Sequence, residues 1–180
     1  MGGKLIPTKR EATTMVIVAR IVLVLLIAIN FWFIWYNSAK VSNDSNKTSK
    51  KVATSVAKVV VKDYQKLDKS AQIKHVSRIN DKVRSLGHFA EFVPLGLLFF
   101  MLSESLFALQ TVKRWKRAVF CVAFSVLFSM VCALCDEIHQ LFVKGRTFQV
   151  GDIFTDTFGA LCGCMVAFAI TLIFKKKIFK

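Results

Sequence analysis

The chain has 180 residues, 54% of them hydrophobic and 21% charged, with 17 Phe against 2 Pro. A soluble domain runs nearer about 45–50% apolar and about 25% charged. A mean hydropathy of +0.51 beside a formal net charge of +15 therefore excludes an ordinary soluble nucleic-acid binder and points to a membrane protein with cationic loops.

A helix needs roughly 20 residues to cross a hydrocarbon core of about 30 Å. Four stretches qualify: Val16–Tyr36, Gly87–Leu109, Ala118 to beyond Cys135, and Asp152–Phe174. The expected fold is all-α, a polytopic membrane bundle of four transmembrane helices with a long basic extracytoplasmic loop containing an amphipathic helix. The divisions expected are an N-terminal tail over 1–15, the first span over 16–36, the loop over 37–86, a core with spans two to four over 87–174, and a basic C-terminal tail over 175–180.

The first span is too long for the apolar region of a signal peptide, and no small-x-small cleavage site follows Tyr36, so it reads as an uncleaved anchor. Arg20, about one turn inside, snorkels to the nearby interface. In the loop, Ser42–Ser49 is polar and expected to be mobile. From Lys51 onward Val52, Val56, Val59, Val60, Leu67, Val76, Ile79 and Val83 recur at helical spacing between lysines. Two placements of that basic helix stay open, flat on the membrane surface or packed on the rim of the bundle.

Basic residues set the expected orientation. Lys4, Lys9 and Arg10 precede span one, Lys113, Arg114, Lys116 and Arg117 join spans two and three, and Lys175, Lys176, Lys177 and Lys180 end the chain. These three segments share one side, expected to be the cytoplasm, which puts both termini inside. The first loop dissents with twelve basic residues from Lys40 to Arg84, but at about 50 residues it is long enough to follow the rule poorly.

The polar residues within the spans gather where span two starts, span three ends and span four starts. Arg84, His88, Glu91 and Leu95 share one helical face, and Pro94 leaves the Ala90 carbonyl without an intrahelical donor. Asp136, Glu137, His139 and Gln140 cover one arc at the end of span three, where two acids oppose the helix dipole unless Arg146, Lys144 or a bound cation compensates. Asp152, Asp156, Gly159 and Gly163 form a single stripe on span four. Asp152 reads equally as an N-cap, whereas Asp156 lies a turn deeper, where charge is costly. The glycines admit a neighbouring helix closely, and Gly145 and Gly151 bracket a short loop that makes spans three and four antiparallel neighbours. Five Cys imply no disulfide framework. Cys132, Cys135, Asp136 and His139 lie on one straight helix face and cannot surround a metal ion, and Cys121, Cys162 and Cys164 read as small packing residues. Glu104 falls at the far end of span two and reads as interfacial.

The stretch Lys82-Val-Arg84-Ser-Leu-Gly-His88-Phe89-Ala-Glu91-Phe92-Val-Pro94-Leu95-Gly96 resembles the first motif of the VanZ-like membrane proteins. Asp136-Glu137-Ile-His139-Gln140-Leu-Phe142, then Gly145-Arg146, then Asp152, Asp156 and Gly159 resemble the second. The resemblance covers residues 80–165 and leaves out the first span and the basic loop. It implies a Gram-positive bacterial membrane protein of the family associated with low-level glycopeptide resistance, teicoplanin in particular. Many members carry Asn where this chain has Asp156.

The function expected first is an outward-facing polar site that binds or modifies a cell-envelope component, an anionic polymer or a lipid-linked wall precursor. Its candidate residues are Arg84, His88, Glu91, Asp136, Glu137, His139, Gln140, Arg146, Asp152 and Asp156. Arg146 suits phosphate or carboxylate because its fork binds both bidentately. The alternative is acid–base hydrolysis or transfer, since carboxylates beside a histidine supply acid and base where their environments differ. No organic cofactor is expected. A divalent cation among Glu91, Asp136, Glu137 and Asp156 is the metal-assisted variant. A small transporter or pore comes third, because the polar groups gather at one face rather than at the midplane and no repeat is visible. The partner expected is the lipid bilayer, not nucleic acid; the oligomeric state is open.

Overall fold

The computed structural model describes residues 9–39, 42–108, 110–144 and 146–178. Lys4, Lys40, Gly145 and Lys180 lie outside them. The described chain is helical: α1 Lys9–Ser38, α2 Ser42–Val60, a 3-10 turn at Tyr64–Lys66, α3 Lys69–Leu106, α4 Arg114–Gln140 and α5 Val150–Ile178. Helices α1, α3, α4 and α5 are each long and apolar enough to cross a membrane. Their outer faces are apolar too: Val24, Leu25 and Ile29 on α1, Phe128, Val131 and Leu134 on α4, and Met165, Val166 and Ile170 on α5 are all exposed. On helices of spanning length, a surface of that kind suits a lipid environment. The protein is a multi-pass membrane protein with the expected all-helical fold.

The interior of the bundle is built on α3. Phe92, Leu95 and Phe99 of α3 pack with Ile34, Ala133 and Ala160 from the other three spans, and Phe100 packs with Cys121, Cys164 and Ala167. The contact between α3 and α5 is the closest. A Cβ at Gly159 would collide with the Phe89 carbonyl, one at Gly163 with the Val93 carbonyl, and one at Gly96 with Ala160. The stripe expected to admit a neighbouring helix does so, and that neighbour is α3.

Polar contacts fix the bundle at both ends. At one end Arg20 of α1 donates to the Ser105 carbonyl at 2.8 Å, which also accepts the Ala108 N–H of the closing turn at 3.2 Å. Beside it Arg117 Nε donates to Glu104 Oε1 at 2.9 Å, which closes the α3–α4 connection. At the other end Asn37 and Ser38 of α1 reach Glu91 of α3 and Asp136 of α4.

The basic loop differs from expectation. Ser42–Ser49 is helical, as the first half of α2, and the basic helix expected from Lys51 is two helices. Asp63 breaks it with φ 55°, a left-handed conformation that Asp tolerates better than most residues. The Gln72 amide donates to the Tyr64 and Leu67 carbonyls at 3.1 and 2.9 Å, and Asp68 then caps α3, accepting from the Ser70 and Ala71 amides. Hydrogen bonds from the Ser70 side chain first, then the Ala71 amide, hold the Asp68 carboxyl below its ordinary value. Helix α2 folds back on the first half of α3 and buries Ala53 and Ala57. Helix α3 is one continuous element of 38 residues, about 57 Å at 1.5 Å per residue, so roughly half of it projects beyond the hydrocarbon.

Gly163→Val is expected to drive α3 and α5 apart at a cost of at least about 1–3 kcal/mol, read as a lower melting temperature in detergent. Gly87 has nothing within 4 Å of an added Cβ, so Gly87→Ala is expected to hold or raise that temperature, Ala being the better helix former by about 0.5–1 kcal/mol.

Candidate functional site

The end of α1, the membrane entry of α3, the end of α4 and the start of α5 meet in one polar cluster. Asp136, Glu137, Gln140 and Asp156 are each at most 1% exposed and His88 is 9% exposed. Ionisable groups buried to this degree normally carry complete hydrogen-bonding shells.

Asp136 is gripped through one oxygen. Ser38 Oγ donates to Oδ2 at 2.7 Å and Gln140 Nε2 donates to the same atom at 2.9 Å. Glu137 receives the Gln149 backbone N–H on Oε2 at 2.6 Å. Gln149 immediately precedes α5, so the acid at the unfavourable C-terminal end of α4 sits against the positive N-terminal end of α5. Much of the compensation expected from a side chain therefore comes from backbone. Lys144, one expected compensator, is exposed. Arg146 is half-buried within electrostatic reach of Arg84, Asp136, Glu137 and Asp152. Burial first, and Arg84 second, hold its guanidinium below the ordinary value while the three carboxylates oppose them.

Glu91 accepts from the Asn37 amide at 2.8 Å. His139 turns toward α1, its ring edge-on to Trp35 at 4.8 Å between centroids. Asp156 and His88 form the least satisfied pair. His88 Nδ1 stands 3.9 Å from Asp156 Oδ1, too far for a direct hydrogen bond. Among the described residues neither carboxylate oxygen of Asp156 nor Nδ1 of His88 has a hydrogen-bond partner. Asp156 also lies within electrostatic reach of Asp136, Asp152, Glu137 and Glu91. Asp136 Oδ1 and Glu137 Oε1 are likewise buried without partners among the described residues.

All ten residues singled out from the sequence therefore lie at this end of the bundle, His139 on its α1 side. Sequence reasoning missed Asn37 and Ser38, which hold Glu91 and Asp136. Their signal was present: a polar pair ending the run Phe31–Tyr36, on the end of span one that the topology brings to the cluster. It also missed Ser85 and Thr155, whose hydroxyls meet at 3.4 Å across α3 and α5. Among the described residues no three His, Cys, Asp or Glu side chains are arranged to hold a metal ion, and all five cysteines are free thiols.

The contacts separate two kinds of acid. Asp136→Ala removes the acceptor of two buried donors, so it is expected to destabilise the bundle by about 1–3 kcal/mol. The check is a melting curve of the purified variant, with Ser38→Ala expected to lose a smaller part of the same stabilisation.

No curated protein and no solved structure matches the chain. The VanZ/LLP1 family model matches residues 22–174, a span that takes in both motifs around the cluster and the Asn37–Ser38 pair that grips them. The chain belongs to the VanZ/LLP1 family.

Proposed function

We propose that the chain lies in the cell membrane with both termini in the cytoplasm, and that the buried cluster opens outward to bind or modify the polar headgroup of a cell-envelope component. The observation that carries this reading is the pair of His88 and Asp156, buried 3.9 Å apart among further carboxylates, with His88 Nδ1 and both Asp156 oxygens unsatisfied among the described residues. Buried polar groups left without partners are destabilising, so their retention favours a site completed by a ligand.

The charge pattern suits a headgroup of mixed character. Arg84 and Arg146 are suited to phosphate or carboxylate, and Glu91, Asp136, Glu137, Asp152 and Asp156 to accepting hydroxyl or ammonium groups. A phosphate-linked saccharide of a wall precursor or of an anionic polymer offers both. Sequestering or altering such a component would change how a glycopeptide reaches its target, and teicoplanin tolerance is the phenotype proposed.

A second reading is catalytic. His88 against Asp156 supplies a proton acceptor and a carboxylate within reach of one substrate atom, the arrangement used in acid–base hydrolysis or transfer. Its metal-assisted form, with a divalent cation among Glu91, Asp136, Glu137 and Asp156, requires these carboxylates to draw closer than they stand.

The test is teicoplanin and vancomycin susceptibility of a sensitive Gram-positive host expressing the protein or its His88→Ala, Glu137→Gln and Arg146→Ala variants, with membrane abundance measured by immunoblot. The wild type is expected to raise teicoplanin tolerance and equally abundant variants to lose it. Unchanged tolerance with abundant wild-type protein sinks the resistance reading.

A further inference from the structure

On the lipid-facing side of the α3–α5 seam lies a groove of about 530 Å³ lined by Lys82, Ser85, Leu86, Phe89, Thr155 and Phe158. Its volume falls within the range of sites that hold small ligands. The four α3 residues are spaced three, one and three apart, which puts them on one helical face, and Thr155 and Phe158 answer from α5. Leu86 and Phe158 are 65% and 59% exposed, so lipid wets the groove, and the Phe89 and Phe158 rings stand 5.9 Å apart along its floor.

The groove is graded in polarity. Lys82 sits five residues before Gly87, about 7 Å above the apolar stretch at 1.5 Å per residue, where lipid phosphates lie. Below it come two hydroxyls, then only carbon. The hydroxyls are also the partition to the buried cluster. Ser85 follows Arg84 and stands one turn before His88, Thr155 immediately precedes Asp156, and the 3.4 Å contact between them is the polar part of the seam. Below it the seam is closed by Gly159 against the Phe89 carbonyl. On its far side lie the Asp156 oxygens and His88 Nδ1, without hydrogen-bond partners among the described residues.

We infer that this groove is a lateral docking site for a membrane amphiphile with a long apolar chain and a phosphate headgroup, holding the chain against Leu86, Phe89 and Phe158 and the phosphate at Lys82, with the remainder of the headgroup directed past Ser85 and Thr155 to His88 and Asp156. The inference rests on the reading of the buried cluster as a ligand site, and it names the substrate class and its side of entry. Charge complementarity selects the occupant. An uncharged lipid leaves Lys82 unanswered, a water-soluble polymer leaves the apolar floor bare, and an amphiphilic phosphate satisfies both. Entry from the bilayer also spares the apolar chain a passage through water.

The test uses full-length protein in nanodiscs of phosphatidylcholine and a long-chain alkyl monophosphate bearing a diazirine on its chain. Labelled residues are mapped by mass spectrometry. The expected result is saturable labelling of Leu86, Phe89 and Phe158, competed by unlabelled alkyl phosphate but not by the matching alcohol. Lys82→Ala is expected to weaken labelling about tenfold, the effect of losing one charge-assisted hydrogen bond, and Leu86→Trp to abolish it by filling the groove. Lys74→Ala, an exposed lysine of the same helix outside the groove, is expected to change nothing. Equal competition by the alcohol, labelling spread over α1 and α4, or indifference to Lys82→Ala would each reduce the groove to bulk lipid contact and overturn the inference. Failure here leaves the susceptibility result for the cluster variants standing. Labelling of the groove beside abundant but phenotypically silent protein would keep the groove and remove the resistance reading.

Discussion

Asp136 is held by Ser38 and Gln140 through a single oxygen, and the rest of the site depends on that clamp. It joins the end of α1 to the end of α4. The next residue, Glu137, joins α4 to the start of α5 through the Gln149 amide, and Asn37, next to Ser38, joins α1 to α3 through Glu91. Two adjacent residues on α1 and two on α4 thus bring all four spanning helices to one point. In hydrocarbon there is no water to answer an acid left over, so the protein must supply each partner itself or leave the group short. Here it does both.

The two ends of the bundle show the difference. At the end that carries Arg20, the guanidinium meets the Ser105 carbonyl in the last turn of α3, and Glu104 is paired with Arg117. That arrangement is sufficient to lock three helices. At the other end more charge is buried than the lock requires. Asp136 and Glu137 each use one oxygen in tying helices together, while among the described residues Asp156 uses neither and faces a histidine across 3.9 Å. A helix lock explains the first two acids and not the third.

Much of this was legible in the sequence, for physical reasons that can be named. Apolar runs of membrane length give the spans, and the spacing of Asp152, Asp156, Gly159 and Gly163 gives both the polar mouth and the close approach beneath it, since only glycine admits a carbonyl at that distance. The partner was not legible, because a stripe of small residues says that a helix approaches and not which one. The break at Asp63 was missed because Leu67 carries the apolar spacing across it from Val60 toward Val76. The left-handed Asp63 and the Asp68 cap, both short-range signals, mark the division of α2 from α3. Asn37 and Ser38 were passed over because two small polar residues after a span look like an ordinary interface. Their roles depend on Glu91 of α3 and Asp136 of α4, 54 and 98 residues away along the chain.

The central claim is that Asp156 is kept for a ligand and not for stability. Thermal unfolding of purified Asp156→Leu beside the wild type, in the same detergent, tests it most directly. Replacing a buried carboxylate that has no hydrogen-bond partner among the described residues by an apolar side chain of similar size is expected to leave the melting temperature unchanged or raise it. A fall corresponding to about 3–5 kcal/mol, the usual consequence of breaking a buried ion pair, would make Asp156 part of the lock and contradict the account.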